Sequence, residues 1–448
     1  MKDTPDIILV NPWIYDFAAF DLWARPLGLF ILGAKLREAG YQITLLDALD
    51  PFYPSLPRKP RRRNFGTGHY FRQPIPKPSL LGDVPRNFAR YGLPPALFQQ
   101  ELRRIGRPQL IIMTSLMTYW YPGVIEAIRQ IRKVFPHTPI LLGGVYATLC
   151  PEHARKYSGA DYVWVGEGGE QLLHLIKTLA RPRGTKSPHP FPVFDLQRQI
   201  PYVVLTTSYG CPFSCKYCAS RLLRPRFRQR DPEEIFQEIL FWHQKFGVKD
   251  FAFYDDALLV NFQGHLAPLL ERIVSSGLKL RFHTPNALHL RFLTKEVALW
   301  LKQAGFVTLR FGLESIDPKT HQNLDRKVQI EEFLQAMEYL KTAGFSSNQI
   351  GVYLLWGLPE QDLDEVWRSA LYAAQHGAQP FLAEYSPIPG TPLFSKACSV
   401  ARYPLTQDPL FHNNSCFPCI REPDWEKIEQ IKLSVRKLRT RVSQLGTI

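Results

Sequence analysis

Short apolar runs alternate with amphipathic stretches of ten to fifteen residues along most of the chain. In the first part, residues 6–10, 41–46, 110–113, 139–142 and 161–165 read as strands. Helical periodicity falls on the stretch opened by Pro26-Leu27-Gly28 and stopped by Gly40, on 123–134, and after Pro151 and Gly168. Strands alternating with helices predict a doubly wound parallel sheet of α/β class, with its ligand crevice beyond the carboxyl ends of the strands. The rhythm resumes after Pro201 with strands at 202–205, 250–254, 278–282, 308–312, 351–355 and 381–385. Helical stretches intervene, beginning at Asp231-Pro232 and continuing at 261–275, 294–304, 330–343 and 361–377; Asp231 is an N-cap and Pro232 a first helical residue. A final helix at 424–445 offers Ile428, Ile431, Leu433, Val435, Leu438 and Val442 as its packing positions.

Two stretches interrupt the alternation. Residues 48–108 form a basic, proline-rich insertion in the first domain, expected as a lid or partly ordered extension. A second proline-rich stretch at 181–198 reads as a linker. The expected organisation is therefore a first domain at 1–180, the linker, a second domain at 199–395 and a C-terminal extension at 396–448. The chain has 448 residues, 45% apolar and 13% aromatic, ample for two cores. No run approaches a membrane span and the first residues lack a signal-peptide layout, so a cytoplasmic protein is expected. Seven cysteines point to a reducing compartment rather than a disulfide framework. The net charge of +15 is concentrated in 58–63, 221–230 and 432–441, which suits solvated surface and counter-charge for anionic cofactors, or an anionic partner.

The chemistry is densest just after the first strand of the second domain, at Gly210-Cys211-Pro212-Phe213-Ser214-Cys215-Lys216-Tyr217-Cys218. Three thiolates spaced CxxxCxxC can hold three irons of a four-iron cluster and leave the fourth without a protein ligand. A closed zinc site would want a fourth Cys or His, and the next forty residues offer only His243. The other strand ends carry polar or glycine-rich groups: Asp255-Asp256, His283-Thr284-Pro285-Asn286, Gly312-Leu313-Glu314-Ser315, Gly357-Leu358-Pro359-Glu360 and Pro389-Gly390-Thr391-Pro392.

These motifs resemble the radical S-adenosylmethionine (SAM) family, whose cysteine signature has an aromatic before the last Cys, here Tyr217. The resemblance implies a partial (β/α)6 barrel, a 4Fe-4S cluster on Cys211, Cys215 and Cys218, and SAM chelated to the open iron and cleaved to a 5′-deoxyadenosyl radical. It assigns Glu314 and Ser315 to the amine or ribose of SAM, Arg326 to its carboxylate, and the neighbourhood of adenine to Tyr217. Asp255 is open between a structural cap and a SAM or substrate contact, as is Asp256, and His283 between a core residue and a substrate-side group. In the first domain, Gly143-Gly144-Val145-Tyr146-Ala147-Thr148 and Gly166-Glu167-Gly168-Gly169, with Pro26-Leu27-Gly28, resemble the cobalamin-binding domain that precedes many such barrels. Cobalamin is thereby implied as a third cofactor. The axial-histidine motif DxHxxG is absent, because residues 11–25 contain no histidine.

The combination implies a cobalamin-dependent methyltransferase acting on an unactivated carbon of a small molecule and reduced by an electron donor such as flavodoxin or ferredoxin. Cyclisation or rearrangement without methyl transfer, RNA modification and a non-enzymatic electron carrier are the other readings; the last fifty residues show no recognisable RNA-binding domain. Cys398, Cys416 and Cys419 are too few for an auxiliary cluster and are expected as thiols near the barrel mouth.

Overall fold

A computed structural model describes residues 4–186, 190–324 and 328–445. The chain divides into two compact units, Met1–Pro201 with Thr406–Cys416, and Tyr202–Leu405 with Phe417–Ile448.

The first unit is built on five parallel strands: β1 (Ile7–Asn11), β2 (Ile43–Asp47), β3 (Leu110–Met113), β4 (Ile140–Leu142) and β5 (Tyr162–Val163), in the order β5-β4-β3-β1-β2. Ile7 to Val10 and Leu110 to Met113 are buried because helices cover both faces, which is why these strands read as unbroken apolar runs. The order reverses between β1 and β3, and that is the switch point. Strand β5 is shorter than the expected 161–165.

The insertion has secondary structure of its own. Short strands Ile14–Asp16, Ala89–Tyr91 and Arg72–Pro74 make an antiparallel sheet, Phe20–Asp21 pairs with Gly68–His69, and Pro95–Ile105 is a helix. Two small apolar clusters, Ile14, Leu49, Tyr70 and Tyr91 in one and Tyr53, Leu56 and Leu93 in the other, pack it, and polar contacts add to them. Buried Asp21 takes both Arg25 and Arg62, Trp13 donates to the Leu93 carbonyl at 2.7 Å, and Arg198 stacks on Tyr53 at 4.5 Å while reaching Asp50 and Glu101. The expected linker is also tied down. Part of it lies outside the described residues, but Val193 and Phe194 are fully buried and Asp195 pairs with Arg37 at 3.0 Å, all within the first unit.

The second unit is the expected partial barrel. Strands β6 (Val203–Leu205), β7 (Asp250–Phe253), β8 (Arg281–His283), β9 (Phe306–Glu314), β10 (Ile350–Trp356) and β11 (Gln379–Glu384) lie side by side in sequence order, all parallel. Helix Pro232–Phe246 begins as expected, with the Asp231 carboxylate accepting from the Glu233 N–H at 2.8 Å and Gly247 closing it in the left-handed region. Helix Trp425–Leu445 packs on β11 and on helix Leu363–Gln375. Ile428, Ile431, Val435 and Val442 form its buried stripe. Leu433 does not belong to it and is 44% exposed, since it falls between the rows that a 3.6-residue period aligns. No helix among the described residues is long and apolar enough to cross a membrane.

One carboxylate in the first unit gives a pH-dependent prediction. Burial and neighbouring Asp50 push Asp47 up to about 6 from 3.8, although Asn11 and the Leu49 N–H donate to it. A raised carboxyl costs stability in full above its folded value, and the cost fades as pH falls towards the unfolded value. Asp47→Asn keeps the accepting oxygen and removes the charge. It is expected to raise the melting temperature most at pH 7–8, less at pH 5, and not at all below pH 4, as read by thermal melts across that range.

Candidate active site

The cysteine loop is launched by a buried anchor. Beyond Leu205 the chain wraps over the Asp255 carboxylate, which accepts the Thr207 N–H at 3.0 Å and hydroxyl at 2.8 Å, and the Ser208 N–H and hydroxyl, both at 2.6 Å. Burial nevertheless pushes the Asp255 carboxyl above its ordinary value. These bonds make Asp255 the holder of the turn that leads into the loop. Arg230 grips the same turn through the Thr206 carbonyl at 2.9 Å and is balanced by buried Glu238 at 2.8 Å. Ser208–Tyr209 then pairs with Arg228–Gln229, and Gly210 turns the chain at φ +76°. A side chain at Gly210 would be strained there, and its Cβ would lie 2.7 Å from the Arg226 carbonyl.

Cys211, Cys215 and Cys218 follow on one half-buried loop, and no disulfide joins any of the seven cysteines. The loop is clamped on two sides through Lys216, whose N–H donates to the Leu324 carbonyl at 3.2 Å and whose carbonyl accepts the Leu393 N–H at 2.9 Å. That Leu393 N–H belongs to the first turn of helix Pro392–Val400, where donors lack intrahelical partners. The stretch Pro389-Gly390-Thr391-Pro392, which leads into this turn, thus acquires a task that the sequence did not reveal. Phe213 packs on His289 and Phe292 with ring centroids 4.6 and 5.8 Å away. The Ser220 N–H points at the Cys218 sulfur at 3.4 Å. Among the described residues no three His, Cys, Asp or Glu side chains are placed to hold a single metal ion. A four-iron cluster instead spreads its cysteines over separate irons, and three thiols on one anchored loop fit that requirement.

Facing the loop, the Tyr217 hydroxyl donates to Glu314 Oε1 at 3.2 Å, so two residues assigned to SAM come together. Glu314 is 5% exposed and sits at φ +63°, where the β9–β10 register shifts. A left-handed glutamate at a strand end is a costly conformation of the kind found at ligand sites. Ser315 is turned inward: its hydroxyl donates to Glu365 and accepts the Asp317 N–H at 2.9 Å, which spends it inside the fold. Arg326 lies outside the described residues. Asp256 bonds Ser220, beside the Cys218 sulfur, and burial raises its carboxyl. His283 is a core histidine, fully buried between Thr308 and Asp250 at 3.1 Å each.

In the first unit the glycine loops follow β4 and β5. Thr148 joins them, donating to the Gly144 carbonyl at 2.8 Å and accepting the Gly166 N–H at 3.1 Å. Gly144, at φ +88°, is packed against Thr114 and Ser115, so its freedom serves the fold. Gly143 and Gly166 have nothing within 4 Å of a would-be Cβ, which leaves bare backbone for a bulky flat ligand. Half-buried Glu167 supplies its carbonyl to the Trp164 indole at 3.1 Å. The switch-point crevice is narrow, about 10 Å³, room for one water at most, between Asn11, Trp13, Leu116 and Trp120. Sequence reasoning missed the segment Thr406–Cys416, which contributes Asp408 to the Tyr121 hydroxyl at 2.9 Å, Asn413 to Asp16 at 2.8 Å and His412 to Thr118 at 3.1 Å. It carries no periodicity that could have linked it to a domain four hundred residues earlier.

Residues 205–373 match the radical SAM superfamily and residues 93–176 the B12-binding domain. The chain is a radical SAM enzyme with a B12-binding domain. Its cofactors are accordingly a 4Fe-4S cluster, SAM and cobalamin. The B12 match begins after β1, so the loop where an axial histidine would stand falls outside it. This radical SAM enzyme is 24% identical over 327 residues to an uncharacterised methyltransferase of Pyrococcus horikoshii, covering 65% of this chain and 69% of that one. It is 23% identical to cytidylyl-2-hydroxyethylphosphonate methyltransferase of Streptomyces wedmorensis (82% and 77% covered). With the anaerobic magnesium-protoporphyrin IX monomethyl ester cyclase of a Synechocystis strain it shares 21% (94% and 82% covered). The fold resembles the radical SAM methyltransferase TsrM of Kitasatospora setae with cobalamin and [4Fe-4S] cluster bound, at a TM-score of 0.67, 15% identity, and coverage of 96% and 88%.

The anchor makes a direct prediction. Asp255→Ala leaves two buried N–H groups and two hydroxyls without their acceptor, a loss of about 3 kcal/mol or more. Iron retained after anaerobic reconstitution is expected to fall well below that of the parent, while Asp256→Ala, which removes a bond to Ser220 and a charge beside Arg224 but none of the donors of the turn, loses less.

Proposed function

We propose that this enzyme transfers a methyl group from SAM to an unactivated carbon of a small molecule. The observation that carries the reading is three thiols on one anchored loop, faced by the Tyr217–Glu314 pair, in a chain that also has a B12-binding domain. Cys211, Cys215 and Cys218 are proposed to hold three irons and leave the fourth for SAM. Glu314 is the carboxylate offered to the amine or ribose hydroxyls, with Tyr217 fixing its direction, and Arg326 is proposed for the carboxylate of SAM. Gly143 and Gly166 are proposed to admit cobalamin, with Glu167 at the edge of that site; no histidine of residues 11–25 is available as a lower ligand. When bound, these cofactors supply the one-electron cleavage and the methyl carriage; the protein binds, orients and excludes water. The methyltransferase names of two relatives support the reading. The cyclase relative favours a second one, oxidative ring formation without methyl transfer.

Two measurements decide. A methylase forms S-adenosylhomocysteine as well as 5′-deoxyadenosine in each turnover, so a reconstituted enzyme that makes only 5′-deoxyadenosine on substrate is not a methylase. Glu314→Gln is expected to weaken SAM binding about tenfold or more, as the loss of a charge-assisted bond would. Isothermal titration reads that change, and the cluster absorbance should stay at the parent level.

A further inference from the structure

Arg221, Arg224, Arg226 and Arg228 follow the cysteine loop directly, and their guanidinium groups have no part in the assignments above. Helix Ser220–Leu223 starts two residues after Cys218, and the returning strand lays the carbonyls of Arg224 and Arg226 against Gly210, the residue before Cys211. Arg224 and Arg228 hold their guanidinium groups 4.9 and 4.8 Å from the Tyr209 ring centre, so the ring orders two of the charges. Arg221, Arg226, Arg228 and Lys216 are exposed, Arg224 is half-buried, and Leu222 among them is 41% exposed. Arg230 differs, being spent on Glu234 and Glu238. Asp256 is a carboxylate that faces this group, through Arg224. Four arginines within eight residues, three of them exposed and with an exposed leucine among them, make a positively charged face that favours an acidic partner.

We propose that this face is the docking surface of a small acidic one-electron carrier, a ferredoxin, that reduces the cluster. The proposal rests on the reading that Cys211, Cys215 and Cys218 hold that cluster. The step is one electron: the reduced carrier's iron–sulfur centre is oxidised by one electron, the oxidised cluster is reduced by it, and no bond or proton moves. Position favours this partner over RNA, which the same charges attract. Electron transfer requires a short path to the cluster and the patch is built on the cluster's own loop, whereas RNA binding makes no such demand.

The test uses the full-length reconstituted enzyme and Arg221→Glu/Arg226→Glu, two exposed positions outside the Tyr209 stack, with Arg224→Gln/Arg228→Gln as a second variant. SAM cleavage is timed with a reduced acidic ferredoxin and, separately, with dithionite. Charge reversal is expected to slow the ferredoxin-driven reaction about tenfold at low ionic strength, the difference closing at high salt, with dithionite-driven cleavage unchanged. An unchanged ferredoxin rate overturns the proposal. An equal fall with dithionite assigns the arginines to the cluster itself, and loss of retention on RNA with ferredoxin rates intact assigns them to nucleic acid; both overturn it. A parent enzyme that holds no iron removes the cluster reading, a failure distinct from the others because it precedes any rate.

Discussion

The bond between Asp255 and the Thr207–Ser208 turn decides where the chain leaves the barrel sheet. The carboxylate sits at the end of one strand and takes donors from the end of its neighbour, so two adjacent strands are locked at the level where the cysteines begin. Backbone N–H groups at such a site must be paired, and a buried carboxylate must be compensated; here each requirement answers the other. The clamp on Lys216 from Leu324 and Leu393 then fixes the far side of the loop. The loop is thus placed by contacts from both flanks.

How much of this could be read from sequence depends on what kind of force holds each part. The two parallel sheets were legible because strands buried on both faces must be apolar throughout, and β1, β3 and the six barrel strands appear within a few residues of where that rule puts them. The insertion was not legible, because its apolar residues (Leu49, Tyr53, Leu56, Tyr70, Tyr91, Leu93) are scattered through loops and strands of two or three residues, too short to show a period, and ion pairs such as Asp21 with Arg25 and Arg62 join them. Leu433 failed for a simpler reason: a hydrophobic residue two positions from Ile431 and Val435, on the opposite face of the helix, looks the same in a list of apolar positions.

Within the site, residue types spoke more clearly than roles. The cysteines and Glu314 were visible as chemistry; that Ser315 would be consumed by Glu365, and Asp255 by the loop, required knowing which neighbours fold back on them. The left-handed backbone of Glu314 has no sequence signal at all, since nothing distinguishes that glutamate from one in an ordinary turn. The structure adds a cost there that ordinary packing does not ask for.

The passage of Thr406–Cys416 into the first unit has a practical consequence for how this gene product can be handled. Splitting the polypeptide after Pro201 would yield a front half stripped of the clasp that Asp408, His412 and Asn413 supply, and a back half carrying eleven residues with nothing to close upon. The first unit therefore cannot be taken out by a single cut, because part of it arrives from beyond residue 405.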